Sequence, residues 1–506
     1  MEQLLGVDCG TGGCKTTVID KRGKLLASAS QEYPSYYLYS GWSEQNPSDW
    51  IEAVVNTIRK CVDQLGSGKN IQSISFSAST HNTLLEDKEG NIIRPCIMWN
   101  DQRSYLEADE LMANHGEEIF SIGMQLPTPT WTLPQLLWLK RNEKENFDRI
   151  HRYYCVKDYV RNFFTDDWST DTVDAQGTLL FDARKMQWSE ELCDLLGLPI
   201  SVLPPINQSK DIAGYLTEKA SRATGLTQGI PVVTGCSDTS AEDFGAGAVS
   251  EGDLIIKLAT AANVNVVTNN PMPDKRGFTY PHVVEGTWYN VLATNSCASS
   301  YRWLRNSIFN EEMAAYQSAK KDVYVLMDEL ADEMPIGAGG ILYHPFLQGE
   351  RCPYYDSALK ASFTGISSEM DKRNLARSVL EGVAYSINDC YSIVRTMDIK
   401  TKDARLIGGG AKSTLWSQIV CDVVGIPMYL PENDDSSFGG ALLAGIGVGI
   451  FSDARDAAEK CIKMKKKLEP NFENHEKYNE YYELYKEVVQ ALKPIYRKLQ
   501  QIESKE

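Results

Sequence analysis

Two stretches of apolar and small polar residues, each interrupted by a run of small side chains, predict one β-hairpin in each half of the chain. In the first half, residues 4–8 and 16–20 are β-rich and are joined by residues 9–15, which are mostly glycine and other small residues. In the second half, residues 253–267 are β-rich, with a small-residue break at positions 259–262. No repeat is detectable residue by residue, so pattern alone suggests a duplicated architecture in which each half presents a tight turn to a shared ligand.

Short apolar strands alternate with helical patterns along the rest of the chain. Strands are predicted at residues 71–78, 230–234 and 404–407, and a long helix at residues 374–397. This alternation is typical of the α/β class. Near the end of the chain, seven apolar residues fall at helical spacing and predict a packing face rather than a binding surface. They are Tyr478, Tyr481, Tyr482, Tyr485, Val488, Val489 and Leu492.

The length of 506 residues exceeds the size at which one hydrophobic core stops growing. We therefore expect two domains, residues 1–246 and 247–506, with a cleft between them. The chain is 42% hydrophobic and carries a formal net charge of −17, which disfavours nucleic acid and anionic membranes as partners. An anionic substrate would then need a local cradle of N–H groups, a lysine and a metal ion.

Twelve cysteines are scattered singly, without a C-x-x-C pair or a histidine at metal-ligand spacing. We expect free thiols that serve as small core residues in a reducing compartment. The first residues lack the pattern of a signal peptide, and nowhere do 18 apolar residues follow one another. The sequence therefore predicts a cytoplasmic protein that does not enter a membrane.

The first predicted turn, residues 10–13, suits phosphate, because residues without bulky side chains let backbone N–H groups approach phosphate oxygens. Lys15 follows the turn, and Asp8 precedes it at the end of a strand. A carboxylate at that place tolerates phosphate when a magnesium ion lies between them. A plain hairpin remains the alternative. The turn is neither a Walker loop, since Cys14 precedes the lysine, nor a dinucleotide fingerprint, which needs a strand followed by a helix.

Asp238 follows a buried strand where the two domains are expected to meet. An ionised carboxylate there could accept the proton of an alcohol during phosphoryl transfer. The alternative is that Asp238 caps the helix predicted to begin near Thr239. A glycine turn at residues 408–410 also ends a strand and precedes a helix, which suits the nucleoside end of a nucleotide or, equally, an ordinary tight turn.

Two polar clusters close predicted strands and suit a hydroxyl-rich ligand. Residues 79–82 offer a histidine and an asparagine, and residues 99–103 offer Trp99, Asp101 and Arg103. Paired donors and acceptors beside an aromatic face are what a sugar requires. In the alternative interpretation, Asp101 and Arg103 merely pair with each other and cap a helix.

In this order, the motifs resemble the FGGY carbohydrate kinases over nearly the whole chain. The most specific match is the sequence Ala-Ser-Phe-Thr-Gly-Ile at residues 361–366, followed after seven residues by Asn-Leu-Ala-Arg-Ser-Val-Leu-Glu at residues 374–381. A second signature at residues 130–142 is matched less fully, because Gln135 stands where the family usually has lysine. The resemblance implies two ribonuclease-H-like domains of the actin-like ATPase kind, which close on ATP and a sugar.

The resemblance also implies roles for individual residues. Asp238 matches the general base, and Asp8 matches the magnesium-associated carboxylate, so both are expected to hold Mg²⁺ through water. Ala259 and Ala262 replace residues of the second phosphate loop that are usually glycine. The residues to which the resemblance gives ATP-binding roles are Thr11, Gly12, Lys15, Thr260, Gly409, Gly410 and Thr414, and less securely Ala298 and Arg302.

For the sugar, the resemblance is greatest to the family members that phosphorylate xylulose. Where they usually show Met-His-Gly, this chain has Thr80, His81 and Asn82, whereas Trp99 to Arg103 fits their Trp-Asn-Asp-x-Arg form. The expected substrate-binding residues are Thr80, His81, Trp99, Asp101, Arg103 and Asp238. The expected reaction is ATP-dependent phosphorylation of D-xylulose, with a hinge near residues 240–250 that lets the domains close.

Several alternatives stay open. Ribulose, gluconate, glycerol or another polyol could be the acceptor, because Thr80 and Asn82 depart from the xylulose pattern. An actin-like ATPase without a small acceptor is a candidate from a different class. A catalytically idle sugar sensor is disfavoured, since Asp8 and Asp238 are both present. A homodimer is also left open.

Overall fold

The fold of residues 2–503 was taken from a computed structural model. The elements of the first half precede residue 246. Its strands are β1 (Gln3–Gly10), β2 (Gly13–Asp20), β3 (Leu25–Glu32), β4 (Glu44–Gln45), β5 (Ile71–Ala78), β6 (Leu84–Glu86), β7 (Cys96–Ile97), β8 (Arg152–Tyr154), β9 (Thr170–Asp171), β10 (Phe181–Asp182), β11 (Gln187–Trp188), β12 (Ile206–Asn207), β13 (Ile212–Tyr215), β14 (Pro231–Val233) and β15 (Cys236–Ser237). Its helices are α1 (Pro47–Leu65), α2 (Tyr105–Gly123), α3 (Thr132–Asn142), α4 (Lys144–Asp148), α5 (Val156–Thr165), α6 (Thr172–Gln176), α7 (Glu190–Asp194), α8 (Glu218–Thr224) and α9 (Asp238–Gly245).

The second half repeats the mixture of strands and helices. Its strands are β16 (Leu254–Leu258), β17 (Ala262–Thr268), β18 (Phe278–Pro281), β19 (Trp288–Ala293), β20 (Leu342–His344), β21 (Ser362–Thr364), β22 (Ala404–Ile407), β23 (Met428–Pro431) and β24 (Met464–Leu468). Its helices are α10 (Ala298–Ile308), α11 (Asn310–Ser318), α12 (Val323–Asp332), α13 (Lys372–Val394), α14 (Thr414–Val424), α15 (Ser436–Gly447), α16 (Ala454–Cys461) and α17 (Phe472–Glu503). Within residues 2–503, no helix combines the length and the apolar character needed to cross a lipid bilayer.

Two sheets with the same core topology confirm the duplicated α/β architecture. The first has the order β13-β14-β5-β1-β2-β3, and the second has the order β18-β19-β17-β16-β22-β23-β24. In each sheet, an antiparallel hairpin is extended by a third antiparallel strand on one side. A parallel strand lies on the other side, β5 beside β1 and β22 beside β16. Both predicted hairpins are therefore present, and each turn lies at the end of a sheet where a parallel neighbour also ends.

The C-terminal helix α17 confirms the predicted packing face. Tyr478, Tyr482 and Tyr485 are buried, and the rings of Tyr482 and Tyr485 both lie against Tyr385 of α13. Burial of one stripe of an otherwise polar helix is the expected result of the 3.6-residue period.

Helix α15 joins the two halves, although it lies late in the chain. It packs against β1 and β5 of the first sheet and crosses α9. The hydroxyl of Ser437 lies 2.6 Å from that of Thr17 in β2. At the crossing, a Cβ atom added to Gly439 would lie 1.8 Å from the carbonyl oxygen of Ala241. The domain division at residue 246 stays a prediction, because this second-half helix rests on the first-half sheet.

Replacing Gly439 by alanine is expected to lower the free energy of unfolding by about 1–3 kcal/mol, because the added methyl group forces α9 and α15 apart. Gly409→Ala is the matched control, since a Cβ there would meet no atom within 4 Å. Thermal unfolding of both variants tests this. Equal melting temperatures for the two variants would contradict the close crossing.

Candidate active site

Asp8 and Asp238 lie at the ends of two strands that both pair with β5. In the ladder, Asp8 of β1 lies opposite Ser77, and Cys236 of β15 lies on the other side of the same residue. The hydroxyl of Ser77 donates to Asp8 Oδ1 at 2.8 Å. Parallel strands end at the same edge of a sheet, and ligands of open α/β sheets bind at this edge. The sheet therefore brings the two predicted carboxylates together.

Asp238 is not the cap of α9. Ser237 takes that place, and its hydroxyl oxygen accepts from the backbone N–H of Ser240 at 3.3 Å. Asp238 begins the helix instead, and its Oδ1 accepts from the N–H of Thr239 at 2.6 Å. The helix-capping alternative for Asp238 is therefore wrong. Its second oxygen, Oδ2, has no hydrogen bond within residues 2–503.

The carboxylates at this edge repel one another and are poorly solvated. Burial raises the pKa of Asp8 to about 8, and the neighbouring charge of Asp238 adds to the rise. Burial also raises the pKa of Asp238, against the attraction of Lys257. Glu242, one turn further along α9, has a pKa raised by burial to about 7 and forms an ion pair with Lys257 at 2.6 Å. Such a group of acids favours a cation.

A hard divalent cation fits these residues. Asp8 and Asp238 offer only oxygen ligands, which Mg²⁺ prefers. Within residues 2–503, the one set of three metal-ligating side chains that converges closely is elsewhere, at Cys155, Asp158 and Asp174. Two separate carboxylates therefore suit an ion that keeps several waters and takes further ligands from phosphate.

The first turn is fixed from both halves of the chain. The side chain of Trp99 donates from Nε1 to Thr11 Oγ1 at 2.8 Å. Gly12 is exposed, and a Cβ at that position would meet no atom within 4 Å. Lys15 forms an ion pair at 2.9 Å with Asp435, the cap of α15. The predicted phosphate lysine is thus held at the junction of the two halves.

The second turn and the glycine turn lie side by side, because β16 and β22 are parallel neighbours. Thr260 is exposed, and its carbonyl oxygen accepts from the N–H groups of Cys297 and Ser299 at the start of α10. Gly408 has φ 89°, and a Cβ there would lie 2.8 Å from the carbonyl oxygen of Leu258. Only glycine fits this close approach.

The other candidate nucleotide-binding residues lie in or next to the turns at residues 259–262 and 408–410. Gly409 and Thr414 are exposed and Gly410 is partly exposed, whereas Ser413 caps α14. On α10, Ala298 is partly exposed and donates its N–H to the carbonyl oxygen of Ala259, and Arg302 is exposed. The structure therefore collects these candidates at one edge of the second sheet. Their role toward ATP stays a prediction.

His81 is held by aromatic residues from both halves. Its ring stacks on Trp131 at 4.0 Å between centroids, and its Nε2 lies 2.9 Å from the hydroxyl of Tyr280 in β18. Burial lowers the pKa of His81 to about 3, so the imidazole is neutral. A Cβ at Gly177 would lie 2.1 Å from Thr80 Oγ1 and 2.9 Å from His81 Cδ2. Only glycine therefore fits at position 177, against the side chains of Thr80 and His81.

Asp101 and Arg103 pair with each other, as one part of the alternative interpretation held, but they do not cap the following helix, since the N-cap of α2 is Ser104. Both side chains are fully buried, and Arg103 donates to Asp101 from Nε at 2.9 Å and from Nη2 at 2.7 Å. The backbone N–H of Ser43 also donates to Asp101 at 2.6 Å. The guanidinium lies 3.7 Å from the ring centroid of Trp42. Both oxygens of Asp101 are thus occupied within the protein, and direct sugar contact would require a rearrangement.

Buried polar atoms without a partner lie in and beside the two polar clusters. Each has no hydrogen bond within residues 2–503, which is costly unless a ligand or water supplies it. Trp131 stacks on His81, and Arg103 leaves one guanidinium nitrogen unpaired. The atoms are Thr80 Oγ1, Asn100 Oδ1, Arg103 Nη1 and Trp131 Nε1. Because these atoms include both hydrogen-bond donors and acceptors, they suit a hydroxyl-rich ligand.

Several residues of the site were missed by the sequence analysis. Lys257 interrupts the apolar run of β16, and Glu242 follows Asp238 by one helical turn, so both carried a detectable signal. Tyr280 and Trp131 carried no detectable signal, because an aromatic residue in a strand or at the start of a helix is usually a residue of the hydrophobic core. Gln135 is buried and accepts from Thr83 Oγ1 at 2.6 Å, which gives it a structural contact in place of the usual lysine.

A fully buried ionic cluster lies beside Thr234 and Gly235, the two residues that precede β15. Lys157 contacts Asp158, Asp171 and Asp174 at 2.5–3.0 Å. Arg161 donates to the carbonyl oxygen of Thr234, just before β15. Breaking a buried ion pair leaves an uncompensated charge, so this cluster fixes the strand that carries the candidate base.

Comparisons with known proteins agree with this geometry. A model of the FGGY family of carbohydrate kinases, N-terminal domain, matches residues 3–245. A model of the C-terminal domain of the same family matches residues 254–448. Together the two matches cover the first sheet and all strands of the second sheet except β24.

Individual relatives match over nearly their whole length. A xylulose kinase of Staphylococcus epidermidis is 30% identical over 498 residues, which cover 98% of each chain. A gluconokinase of Bacillus subtilis is 25% identical and covers 91% of this chain and 90% of its own. The solved structure of xylulose kinase from Rhodospirillum rubrum superposes with a TM-score of 0.90 at 25% identity, covering 98% of this chain and all of that one.

Proposed function

The chain belongs to the FGGY family of carbohydrate kinases, and from this membership we propose that it transfers the γ-phosphoryl group of ATP to the terminal primary hydroxyl of D-xylulose, giving D-xylulose 5-phosphate. The observation that carries the proposal is the convergence of Asp8 and Asp238 at one sheet edge. Xylulose is preferred as the acceptor because relatives bearing that name match the chain over 96–98% of its length.

Asp238 is the general base in this proposal. Its Oδ2 has no partner within residues 2–503, and the residue lies at the start of α9, partly exposed beside Asp8. As the bond between the sugar oxygen and phosphorus forms, the hydroxyl proton passes to this carboxylate. Burial raises the pKa of Asp238, and the charge of nearby Lys257 opposes that rise by favouring the ionised form that a base requires.

Asp8 and Asp238 would hold Mg²⁺ in the loaded enzyme, largely through water. When bound, the ion neutralises charge on the phosphates. The turn at residues 10–13, Lys15 and the turn around Thr260 orient the phosphate groups, and Gly409, Gly410 and Thr414 border the nucleoside end. The ion pair of Lys15 with Asp435 would open when phosphate arrives, since both partners are partly exposed.

The sugar lies against His81 and Trp131 in this proposal. The aromatic face covers C–H groups, and the unpaired atoms Thr80 Oγ1 and Trp131 Nε1 bond hydroxyl groups. Asp101 and Arg103 shape the pocket through their mutual ion pair. Trp99 connects the pocket to the phosphate turn through Thr11. The proposed sugar pocket and the phosphate turn are therefore adjacent.

In this proposal, residues 1–246 supply the sugar site, the base and the first phosphate turn, and residues 247–506 supply the rest of the nucleotide site. We propose a hinge near residues 240–250, which include the end of α9. Closure there excludes water, a competing nucleophile. All twelve cysteines are buried and unpaired, which supports the reducing cytoplasm as the location.

A screen of purified sugars and polyols by coupled ADP release tests the substrate. We expect kcat/KM to be highest for D-xylulose and at least tenfold lower for ribulose, gluconate and glycerol, because each leaves polar groups of the pocket unpaired. A higher value for gluconate or ribulose would reassign the acceptor within the same reaction. ATP turnover that no sugar changes would contradict the kinase function itself.

A further inference from the structure

Tyr280 connects the second half of the chain with the pocket around His81. It lies in β18 at the edge of the second sheet. Nevertheless, its side chain packs in one hydrophobic cluster with Trp131 and Val173 of the first half. The neighbouring carbonyl group of Thr279 accepts hydrogen bonds from the first-half side chains of Gln125 and Gln176. The strand is thus docked onto the first half by several contacts.

The hydrogen bond between Tyr280 and His81 has one favourable direction. The neutral imidazole carries a single N–H. If Nε2 carried that proton, the buried hydroxyl proton of Tyr280 would lack an acceptor, since His81 is its one hydrogen-bond partner within residues 2–503. An unmet buried donor is costly, whereas donation from Tyr280 to Nε2 satisfies both the hydroxyl group and Nε2. The imidazole proton then resides on Nδ1.

The ring of His81 is confined on its other sides. Trp131 lies parallel to it within 21°. Gly177 approaches Cδ2 so closely that no side chain fits between them. The backbone of His81 has φ 67°, in the left-handed region, which costs a non-glycine residue energy and is found where surrounding contacts enforce it. Nδ1 has no hydrogen-bond partner within residues 2–503.

We propose that Tyr280 is a positioning residue for sugar recognition: its hydroxyl holds the His81 imidazole in the tautomer that presents Nδ1–H to a hydroxyl oxygen of the sugar. The proposal rests on the proposed function, since it assumes that the sugar lies at His81. It also makes sugar binding depend on contact between the halves, because Tyr280 lies in the second sheet and His81 in the segment that follows β5 of the first sheet.

Replacing Tyr280 by phenylalanine removes the hydroxyl and keeps the ring. We expect the KM for the sugar to rise about 5–30-fold, the effect of one lost hydrogen bond, while the KM for ATP stays within twofold. Tyr391→Phe is the matched control, because it removes another second-half hydroxyl that bonds a side chain, Thr401 Oγ1 at 2.8 Å. Equal sugar KM values for the two variants would overturn the proposal.

Two further measurements separate positioning through His81 from a general structural effect. In a His81→Gln background, Tyr280→Phe is expected to raise the sugar KM no further, and a full additional rise would overturn the proposal. Nitrogen-15 spectra of the sugar-free protein, with His81 assigned by its loss in His81→Gln, are expected to show the proton on Nδ1. A proton on Nε2 would overturn the proposal.

The spectra also distinguish this inference from the proposed function. If no sugar is phosphorylated, the proposed function fails, and with it the role of Tyr280 toward a sugar. The tautomer set by Tyr280 is still decided by the spectrum of the wild-type protein, which does not depend on catalysis or on the folding of Tyr280→Phe.

Discussion

Replacing Asp238 by asparagine is expected to lower kcat by about 10²–10⁴-fold while the affinity for the sugar is largely kept. Asparagine preserves the shape of the side chain and can still accept from the N–H of Thr239, but it cannot take the proton of the attacking hydroxyl. Steady-state kinetics give kcat, and equilibrium binding of the sugar gives the affinity.

Asp389→Asn is the matched control for this variant. Asp389 is another buried carboxyl, bonded to the hydroxyls of Tyr354 and Tyr482, with a pKa raised by burial to about 6. It lies outside the acidic group around Asp8, so we expect a kcat close to that of the wild type. A near-normal kcat for Asp238→Asn itself would reject the general-base role.

Replacing Asp8 by asparagine is expected to raise the Mg²⁺ concentration needed for half-maximal activity by about 10–100-fold, the usual effect of losing a carboxylate that orients metal-bound water. Titration of activity with Mg²⁺ at saturating ATP measures this, again beside Asp389→Asn. An unchanged Mg²⁺ requirement would show that the ion is held without Asp8.

The raised pKa of Asp8 also predicts that the effect of Mg²⁺ on thermal stability depends on pH. The folded protein binds a proton at Asp8 up to about pH 8, whereas the unfolded chain releases it near pH 4. Without a cation, the contribution of Asp8 to the free energy of unfolding therefore falls as the pH rises from 4 to 8. Bound Mg²⁺ replaces that proton, so Mg²⁺ should raise the melting temperature more at pH 8 than at pH 6. Asp8→Asn should reduce that difference.

The sequence located the strands that carry the site because buried strands are short apolar runs bounded by turn residues. Strands β5 and β22 have the predicted bounds, residues 71–78 and 404–407. The strand predicted at residues 230–234 is β14, Pro231–Val233. The short strand β15, Cys236–Ser237, was not predicted and follows after Thr234 and Gly235. Gly235 has φ 82°, and a Cβ there would lie 2.1 Å from the carbonyl oxygen of Phe76, so only glycine fits between the two strands.

Contacts between distant segments could not be predicted from local pattern. The sequence of helix α15 has the pattern of an ordinary apolar helix, yet its cap Asp435 forms an ion pair with Lys15, 420 residues away in sequence. Tyr280 is one of 25 tyrosines, and only the docking of β18 onto the first half gives it a place beside His81. The ion pair of Asp101 with Arg103 is a contact that its motif alone did not establish, and the sugar-binding role of Asp101 stays a prediction.

The central claim is that Asp238 takes the proton of a sugar hydroxyl held in line with ATP. A crystal structure of the protein with D-xylulose, Mg²⁺ and a non-hydrolysable ATP analogue tests it most directly. The account predicts a carboxylate oxygen of Asp238 about 2.6–3.2 Å from the terminal hydroxyl of the sugar, with that hydroxyl facing the γ-phosphate. A sugar bound beyond the reach of Asp238, or an Asp238 side chain turned away from the γ-phosphate, would contradict it.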